Sequence, residues 1–563
     1  MAAEVEEGAA AAAEEIKPYK IHVSSRYLDL TKQKLEVTRL PHEHDEPRST
    51  DWWQPKSHVE PLIDFWLEQY SWREEEDLLN LLPQFRTGFT IPSSEAPIRI
   101  HFIHIRSPHA NAVPLLLIPP FPFSNLSFGH LIKPFTDPED AESNQPFHLV
   151  IPSLPGLGFS DALPNNTAVI SSIADIMDSL MKRLSYSYYL VTNASAGAAS
   201  PAEIDYKLAS YLSTHYTDSC LGTHFISPPL AQPKLMETPV EWAKWSIARF
   251  FQAPVLGYRS EDFSALKRSG YVRRSKKPTS PVQFGLNRLG LTEPNTFAYA
   301  LCDSPTGLLV FVMKGLRLLG PRREFTPTEV INFTQLAWLP GPESAMRLWA
   351  HCVQHQETIG KKTASRPKIG VTVFLGDEQE APQEAPQEEG EGAEIEITKE
   401  EEGIHSYACP SWAKARSKVL YVNRAPGKAG LLAWERPEII AAGVRGLATA
   451  ILKPDDRLRP STAQPVAILE EVVTDNDAAL ERPASSAPVE RSPALLVPPP
   501  RLGERGLPHR EHSDDTAVGS DENLAVKTPS PGFATPSPVH LGPSSSPVGQ
   551  QPQQNVDDEN TST

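Results

Sequence analysis

The stretch SYYLVTNASAGAASPAEIDYKLASYL, residues Ser187–Leu212, decides the fold class. Its apolar beginning is typical of a buried strand, the small residues that follow are typical of a tight turn, and a helix is expected from about Pro201. The turn NASAG, Asn193–Gly197, is close to the G-x-S-x-G pattern, in which small flanks let a serine stand between strand and helix. Asn193 replaces the first Gly of that pattern, and Asn tolerates unusual backbone conformations better than other non-glycine residues. Ser195 is therefore a candidate nucleophile; the alternative is a small residue that is merely packed in a tight turn.

Apolar runs closed by Pro or Gly turns recur on both sides of this stretch, and helix-like stretches separate them. The strands are expected at Pro114–Pro120, Phe147–Asp161, Ile369–Leu375 and Val419–Asn423, and the helices at Ser171–Leu184 and Pro437–Leu452. Strands that alternate with helices in this way indicate an α/β fold with a mainly parallel sheet flanked by helices.

Two further regions frame that sheet. Ahead of it, Phe89–Ile91 and Ile98–Ile105 are strand-like, and the alternation IRIHFIHI in the second predicts a half-exposed strand at a sheet edge. Inside it, the block from about Ala231 to Trp349 has a mostly helical pattern. Because this block interrupts a parallel sheet, we expect it to form a helical cap.

Charge is concentrated in two segments of this 563-residue chain, whose net charge is −17. The run Asp377–Glu402 carries 12 carboxylates against one Lys, and the tail Asp455–Thr563 carries 17 carboxylates against 8 bases. The remainder is near +3, which argues against a nucleic-acid partner. The acidic run is expected to be a flexible surface insertion.

The tail Asp455–Thr563 is expected to be disordered. It holds 16 of the 56 prolines, and Phe533 is its only aromatic residue, so it cannot bury enough apolar surface to offset its ordering entropy. Its Ser-Pro and Thr-Pro pairs are candidate phosphorylation sites, and LLVPPPR is a weak candidate ligand for a proline-recognition domain. A plain solvated tail is the alternative.

The four cysteines lie far apart, and their spacing matches neither a metal site nor a redox motif. No cofactor is expected. The acidic N-terminus lacks the basic segment of a signal peptide, and no apolar run reaches the length of a membrane span. These features predict a cytoplasmic protein without a membrane span.

Several longer motifs carry a family resemblance. YSWREEEDLLNLLPQFRTGFTI (Tyr70–Ile91), PSLPGLGFSD (Pro152–Asp161), EPNTFAYALCDSPTGLLVFVMKG (Glu293–Gly315) and LLAWERPEII (Leu431–Ile440) are the stretches concerned. Together they resemble the microsomal-type epoxide hydrolases, including their fungal members, from roughly Ile16 to Leu452. The resemblance implies an α/β-hydrolase fold with a helical lid, an N-terminal meander packed on both, and a homodimer.

The resemblance also sets the expected organisation of the chain. The segments are an acidic lead at 1–16, an epoxide hydrolase N-terminal domain at 17–110, the first half of the core at 111–230, a helical lid at 231–350, the second half of the core at 351–454 with an acidic insertion at 377–404, and the tail at 455–563.

Residue by residue, the resemblance implies a site whose catalytic groups are substituted. The family opens an epoxide with an Asp in a G-G-D-W-G turn, and that position here is Ser195. The position of the base His is Gly430, and the two lid tyrosines align with Leu286 and Trp349. The acid that orients the His aligns with Asp377 or Glu378, although with no His to orient Asp377 is better explained as the first residue of the acidic loop. His405 and His130 are the candidates nearest in sequence to replace the missing imidazole.

The loop Pro119–Pro122 stands where relatives carry H-G-x-P, so the backbone amides of Phe121 and Ala196 are the implied oxyanion donors. A cis peptide bond at Phe121–Pro122 is possible in an aromatic-Pro pair.

Three interpretations remain open. The first is a degenerate relative that keeps a lidded apolar pocket for a small apolar ligand. The second is a serine esterase-like hydrolase that uses Ser195 with an unidentified base. The third is an epoxide hydrolase with a relocated carboxylate, for which Asp205 is judged too far along the following helix.

Overall fold

A mainly parallel sheet organises the part of the chain that the structure describes. The structure is a computed structural model that describes residues 14–42, 55–165, 167–196, 203–269, 293–319, 323–354, 366–377 and 407–459. In those residues the sheet has nine strands in the order β1-β2-β3-β5-β4-β6-β7-β8-β9. The strands are β1 Lys17–Pro18, β2 Gln84–Phe89, β3 Ile98–Ile105, β4 Val113–Ile118, β5 Phe147–Pro152, β6 Tyr189–Asn193, β7 Cys220–Ile226, β8 Lys368–Phe374 and β9 Lys418–Ala425.

From β5 to β9 neighbouring strands are parallel, whereas β1, β2 and β3 join the edge of the sheet in antiparallel pairs. The α/β-hydrolase fold expected from the sequence is confirmed. The helices are α1 Ser25–Glu36, α2 Lys56–Glu68, α3 Trp72–Leu79, α4 Ile132–Thr136, α5 Val169–Arg183, α6 Ile204–His215, α7 Pro239–Phe251, α8 Ser260–Arg268, α9 Pro294–Asp303, α10 Pro305–Leu318, α11 Pro327–Trp338, α12 Glu343–Gln354, α13 Leu432–Glu435 and α14 Pro437–Leu452.

The central strands are buried throughout and mostly apolar because helices cover both faces of the sheet. Every residue of β4, β6 and β7 is buried. Strands buried on both faces have no polar side to alternate with, which is why these runs in the sequence are continuous rather than alternating.

The expectation that Ile98–Ile105 lies half-exposed at a sheet edge is wrong. This strand, β3, pairs with β2 on one side and with β5 on the other, and Arg99 is its only exposed residue. Its polar residues are buried because they have partners: His101 Nε2 donates to Gln84 Oε1 at 2.9 Å, and His104 shares a hydrogen bond of 2.9 Å with the Tyr186 hydroxyl. Buried polar side chains that have hydrogen-bond partners can alternate with apolar ones, which gives the same sequence pattern as a strand with one exposed face.

The lid helices follow β7 in the chain, and residues of the N-terminal segment form hydrogen bonds with them. Tyr70 donates to Asn332 Oδ1 at 2.7 Å, and the Asn332 amide donates to Glu75 at 2.7 Å. Trp338 Nε1 donates to Thr31 at 2.8 Å. The N-terminal segment therefore contacts both the sheet, through β1 to β3, and the lid.

A buried ion pair attaches the start of the lid to the sheet. Asp262 on α8 is fully buried and accepts from Arg424 on β9 at 2.7 and 2.9 Å. The Tyr407 hydroxyl donates to the same carboxylate at 2.5 Å. Such a pair fixes geometry more than it stabilises the fold, because desolvation offsets most of the attraction between the charges.

Within the described residues, no helix by itself has the length and apolar character to cross a membrane; the pair Pro294–Asp303 and Pro305–Arg317, bent by 116°, meets that test of length and composition only when taken together.

Four buried histidines make the stability of the fold sensitive to acid. Burial lowers the pKa of His101, His104 and His224 to about 3. Burial also lowers the pKa of His148 to about 4. In the unfolded chain each of these rings has a pKa of about 6.5, so below that pH the unfolded state binds more protons than the folded state.

We therefore expect the free energy of unfolding to be constant with respect to these groups above about pH 6.5 and to fall below it, by roughly 1.4 kcal/mol per pH unit for each histidine that titrates. Urea unfolding between pH 7.5 and 5 measures this, since carboxylates of ordinary pKa contribute little in that window. A stability that does not change across it would contradict the burial of these rings as neutral groups.

Candidate active site

The turn after β6 is held by hydrogen bonds of the Asn193 side chain and not by a strained backbone conformation. The Asn193 amide donates to the carbonyl oxygen of Ser195 at 2.6 Å, and Asn193 Oδ1 accepts from the Ile226 N–H at 3.4 Å. The non-glycine residues with positive φ in the described part of the chain are Ser185, Glu203, Ser227, Gln252 and Leu256. Ser195 is not among them, so the strained turn expected from the motif is not found at Ser195. Asn193 contributes through its amide and not through tolerance of an unusual conformation.

Asp205 lies directly beside Ser195, although the sequence interpretation placed it too far along the following helix. The Ser195 hydroxyl donates to Asp205 Oδ2 at 2.5 Å. The reason is that α6 begins at Ile204, so Asp205 stands in its first turn and at the end nearest to the turn that carries Ser195. Asp205 is fully buried, whereas Ser195 is partly exposed. Asp205 stands ten positions after Ser195 in the sequence.

Ser195 and Gly430 line the same small space, which we call the Ser195 chamber. Its volume is about 20 Å³, close to the space of a single water molecule. It is lined by Pro120, Phe121, Phe123, Ala194, Ser195, Ala196, Leu319, Gly430, Leu431, Leu432 and Trp434. The positions that the resemblance aligns with nucleophile, base and oxyanion loop are thus brought together.

Phe121 and Ala196 retain the features of an oxyanion site. Both residues line the Ser195 chamber, and within the described residues neither backbone N–H donates to a protein acceptor. The Phe121–Pro122 peptide bond is cis. Two unused amide donors beside a hydroxyl are the arrangement that holds negative charge on a carbonyl oxygen.

Gly430 differs from the histidine that the resemblance implies at this position in its backbone conformation as well as in its side chain. Its φ is +60°, in the left-handed region that a non-glycine residue occupies only at a cost of about 1–3 kcal/mol. A histidine there would therefore be strained.

No histidine in the described ranges hydrogen-bonds to Ser195. His130 Nε2 donates to the Ala433 carbonyl at 2.7 Å, and burial lowers the pKa of His130. His224 is enclosed between Thr192 and Thr372, at 3.0 and 2.8 Å. His405 lies outside the described residues. His130 is thus held by a backbone carbonyl and does not replace the missing base.

Asp377 is half-buried and follows β8, after Gly376, which forms a bridge to Gly427. It does not line the Ser195 chamber. Its role as the orienting acid stays a prediction, and Glu378 lies outside the described residues.

A second and larger space, the lid cavity, lies between the loop after β4 and the lid helices α9 to α12. It measures about 120 Å³ and is almost wholly apolar, with Leu301, Leu308, Phe311, Phe333, Met346 and Trp349 among its lining residues. Phe121, Phe123 and Leu319 line both this cavity and the Ser195 chamber.

Trp349, at one lid tyrosine position, is buried in the wall of the lid cavity, and its ring lies 6.4 Å from that of Phe121. Its Nε1–H is buried without a hydrogen-bond partner in the part of the chain that the structure describes. Leu286, at the other tyrosine position, lies outside the described residues.

Known proteins share both the sequence motifs and this architecture. Residues 16–128 match the family model described as epoxide hydrolase N terminus. Juvenile hormone epoxide hydrolase 1 of Ctenocephalides felis is 29% identical over 307 residues, which are 53% of this chain and 59% of that protein. Epoxide hydrolase 1 of Sus scrofa is 25% identical over 384 residues, which are 65% of this chain and 78% of that protein.

The chain is similar to epoxide hydrolases in sequence and has their α/β-hydrolase fold. The fold agrees with two solved structures of the family. The Aspergillus niger epoxide hydrolase has a TM-score of 0.56 at 18% identity, with 78% of this chain and 97% of that one covered. The Bombyx mori juvenile hormone epoxide hydrolase has a TM-score of 0.57 at 22% identity, covering 78% and 96%.

The left-handed backbone at Gly430 can be tested directly by substitution. We expect both Gly430→Ala and Gly430→His to lower the free energy of unfolding by about 1–3 kcal/mol, because each places a Cβ on a left-handed residue. Chemical denaturation measures the loss, and Ala429→Gly serves as a neighbouring control without that constraint. A Gly430→His variant as stable as the wild type would contradict the left-handed conformation.

Proposed function

We propose that this epoxide hydrolase family member has lost the family's epoxide turnover and uses its lid cavity to bind small, neutral, mainly apolar molecules. The observation that supports this proposal is the identity of the residues that line the Ser195 chamber. A hydroxyl bonded to a buried carboxylate stands at the nucleophile position, and a left-handed glycine stands at the base position.

The chemistry explains why these substitutions abolish epoxide hydrolysis. A carboxylate that opens an epoxide forms an ester, whose carbonyl water can then attack. A serine hydroxyl that opened an epoxide would form an alkyl ether, which has no carbonyl, so the second step could not follow. No imidazole among the described residues is placed to activate water in that step.

Lid donors for the epoxide oxygen are also altered. Trp349 carries an N–H in place of a phenol, and indole is a donor only and far less acidic. It can hold a neutral acceptor, but it cannot supply a proton to a developing alkoxide as a phenol does.

The other candidate activity is that of a serine esterase-like hydrolase that uses Ser195 with an unidentified base. Among the described residues His130 and His224 do not supply that base, because both are hydrogen-bonded elsewhere.

The lid cavity supports the binding part of the proposal. Its volume of about 120 Å³ is somewhat below that of an engineered cavity of about 150 Å³ that binds benzene. An apolar molecule of about one aromatic ring therefore fits. A ligand with one hydrogen-bond acceptor has a possible donor in the buried indole N–H of Trp349, whose lack of a partner costs free energy.

We expect no diol from styrene oxide with the wild type, and none with the double variant Ser195→Asp/Gly430→His. In the double variant the new carboxylate would adjoin Asp205, and two adjacent carboxylates raise the pKa of one of them and so weaken the nucleophile. Product analysis by chromatography measures the diol. Diol formation by the wild type would overturn the proposal.

Binding is tested with acetophenone by isothermal titration calorimetry. Leu308→Trp fills the lid cavity, since Leu308 is 2% exposed and lines it, and should weaken binding at least tenfold. Leu78→Trp, at a residue 58% exposed, is the matched control and should bind as the wild type does. Equal affinity in Leu308→Trp and Leu78→Trp would place the ligand outside the lid cavity.

A further inference from the structure

We propose that Ser195 and Asp205 form a serine–carboxylate dyad that transfers short acyl groups from aryl esters to water. This activity goes beyond ligand binding and is compatible with the loss of epoxide chemistry. Epoxide turnover needs a carboxylate as nucleophile, whereas acyl transfer needs a hydroxyl with a base beside it.

The first supporting contact joins nucleophile and base. Ser195 Oγ donates a hydrogen bond to Asp205 Oδ2 across 2.5 Å, so the carboxylate is already in position to accept the proton that must leave when the hydroxyl attacks a carbonyl. A histidine base normally makes this contact, and here a carboxylate makes it directly.

The second contact set positions these two groups. Asp205 is fully buried in the first turn of α6, where the partial positive charge of the helix N-terminus favours a negative side chain. Ser195 is held from the other side, because Asn193 donates to its carbonyl oxygen at 2.6 Å. Neither the hydroxyl nor the carboxylate has to move far for the reaction to begin.

The third element stabilises the developing charge. Phe121 and Ala196 line the Ser195 chamber, and their backbone N–H groups have no protein acceptor among the described residues. A carbonyl oxygen placed between them would gain two hydrogen bonds as it becomes an oxyanion, and one such donor is worth about 10²–10³-fold in rate.

The volumes of the Ser195 chamber and of the lid cavity limit which esters the site can accept. The Ser195 chamber, about 20 Å³, has room for a group of about the size of a methyl, so acetyl is the largest acyl group expected, and the lid cavity, about 120 Å³, matches one aromatic ring. Because Phe121, Phe123 and Leu319 line both spaces, an ester with its carbonyl at Ser195 directs its leaving group toward the lid cavity. Aryl acetates are the simplest members of this class.

The steps balance without any further reactant except water. Ser195 Oγ bonds to the carbonyl carbon while its proton passes to Asp205, and the resulting oxyanion accepts from Phe121 and Ala196. The intermediate expels the aryl alcohol, which leaves with the proton from Asp205. Water then attacks the acetyl-serine as Asp205 takes a proton from it. Collapse releases acetic acid and restores the hydroxyl and the carboxylate.

The test is hydrolysis of 4-nitrophenyl acetate by the full chain, with acid quench and peptide mapping to locate the acetyl group. We expect an initial burst of nitrophenol, an acetyl group on Ser195, and loss of both in Ser195→Ala. Asp205→Asn should lower the rate by about 10²–10⁴-fold, the usual contribution of a general base. Ser213→Ala, which removes a hydroxyl from the same helix, should match the wild type.

The outcomes separate this proposal from the preceding one. Acetylation only of residues other than Ser195, or an unchanged rate in a folded Asp205→Asn, overturns the dyad and leaves the ligand-binding proposal standing. If Asp205→Asn does not fold, the site of acetylation in the wild type decides the matter. Diol formation from styrene oxide, in contrast, overturns the loss of epoxide turnover without affecting the dyad.

Discussion

The imidazole of His224 joins three neighbouring parallel strands, and the position of the site depends on that arrangement. It shares hydrogen bonds with Thr192 on β6 at 3.0 Å and with Thr372 on β8 at 2.8 Å. Gly443 of α14 packs directly against the ring, because a Cβ at that position would lie 2.1 Å from it. A buried polar group with both nitrogens satisfied fixes the register of the strands around it, since any slip would leave those atoms unpaired.

Because the parallel strands are aligned in this way, the residues that follow their carboxyl ends lie together at one edge of the sheet. β4 ends before the loop that carries Phe121, and β6 ends at Asn193, two residues before Ser195. β4 and β6 are adjacent and parallel, so the two loops meet there. Ligand sites of open α/β sheets lie at this edge for the same reason. Gly430 arrives from the segment after β9 and completes the chamber.

The residues of the Ser195 chamber depend on their surroundings. Ser195 donates a hydrogen bond to the buried Asp205, and Gly430 has a left-handed backbone that disfavours any side chain. Both features belong to the way this chain is packed around the chamber, beyond the identity of the two residues. The shape of the site, with a small chamber beside a larger apolar cavity, still fits a ligand that has a polar end and an apolar body.

Much of the fold was accessible from the sequence, and the exceptions have physical causes. The helix Pro437–Leu452 and the strand Ile98–Ile105 have the bounds expected. The strand in the run Phe147–Asp161 ends at Pro152, because that run also contains the closing turn, and the other core elements differ by a few residues at their ends. The strand expected at Phe89–Ile91 lies at Gln84–Phe89 instead. β3 can be an interior strand because His101 and His104 have buried hydrogen-bond partners. Alternating polarity cannot distinguish water from a buried hydrogen-bond partner.

The sequence by itself determined the order of strands and helices, the small residues of the turn at Ser195, and the absence of an imidazole from position 430, since these are properties of residue type and local spacing. Only the tertiary structure decided that Asp205 reaches Ser195, that Gly430 is left-handed, and that two spaces share the wall at Phe121. Those features depend on where the chain folds back and on which atoms meet across it, and neither is encoded in the distance between residues along the sequence.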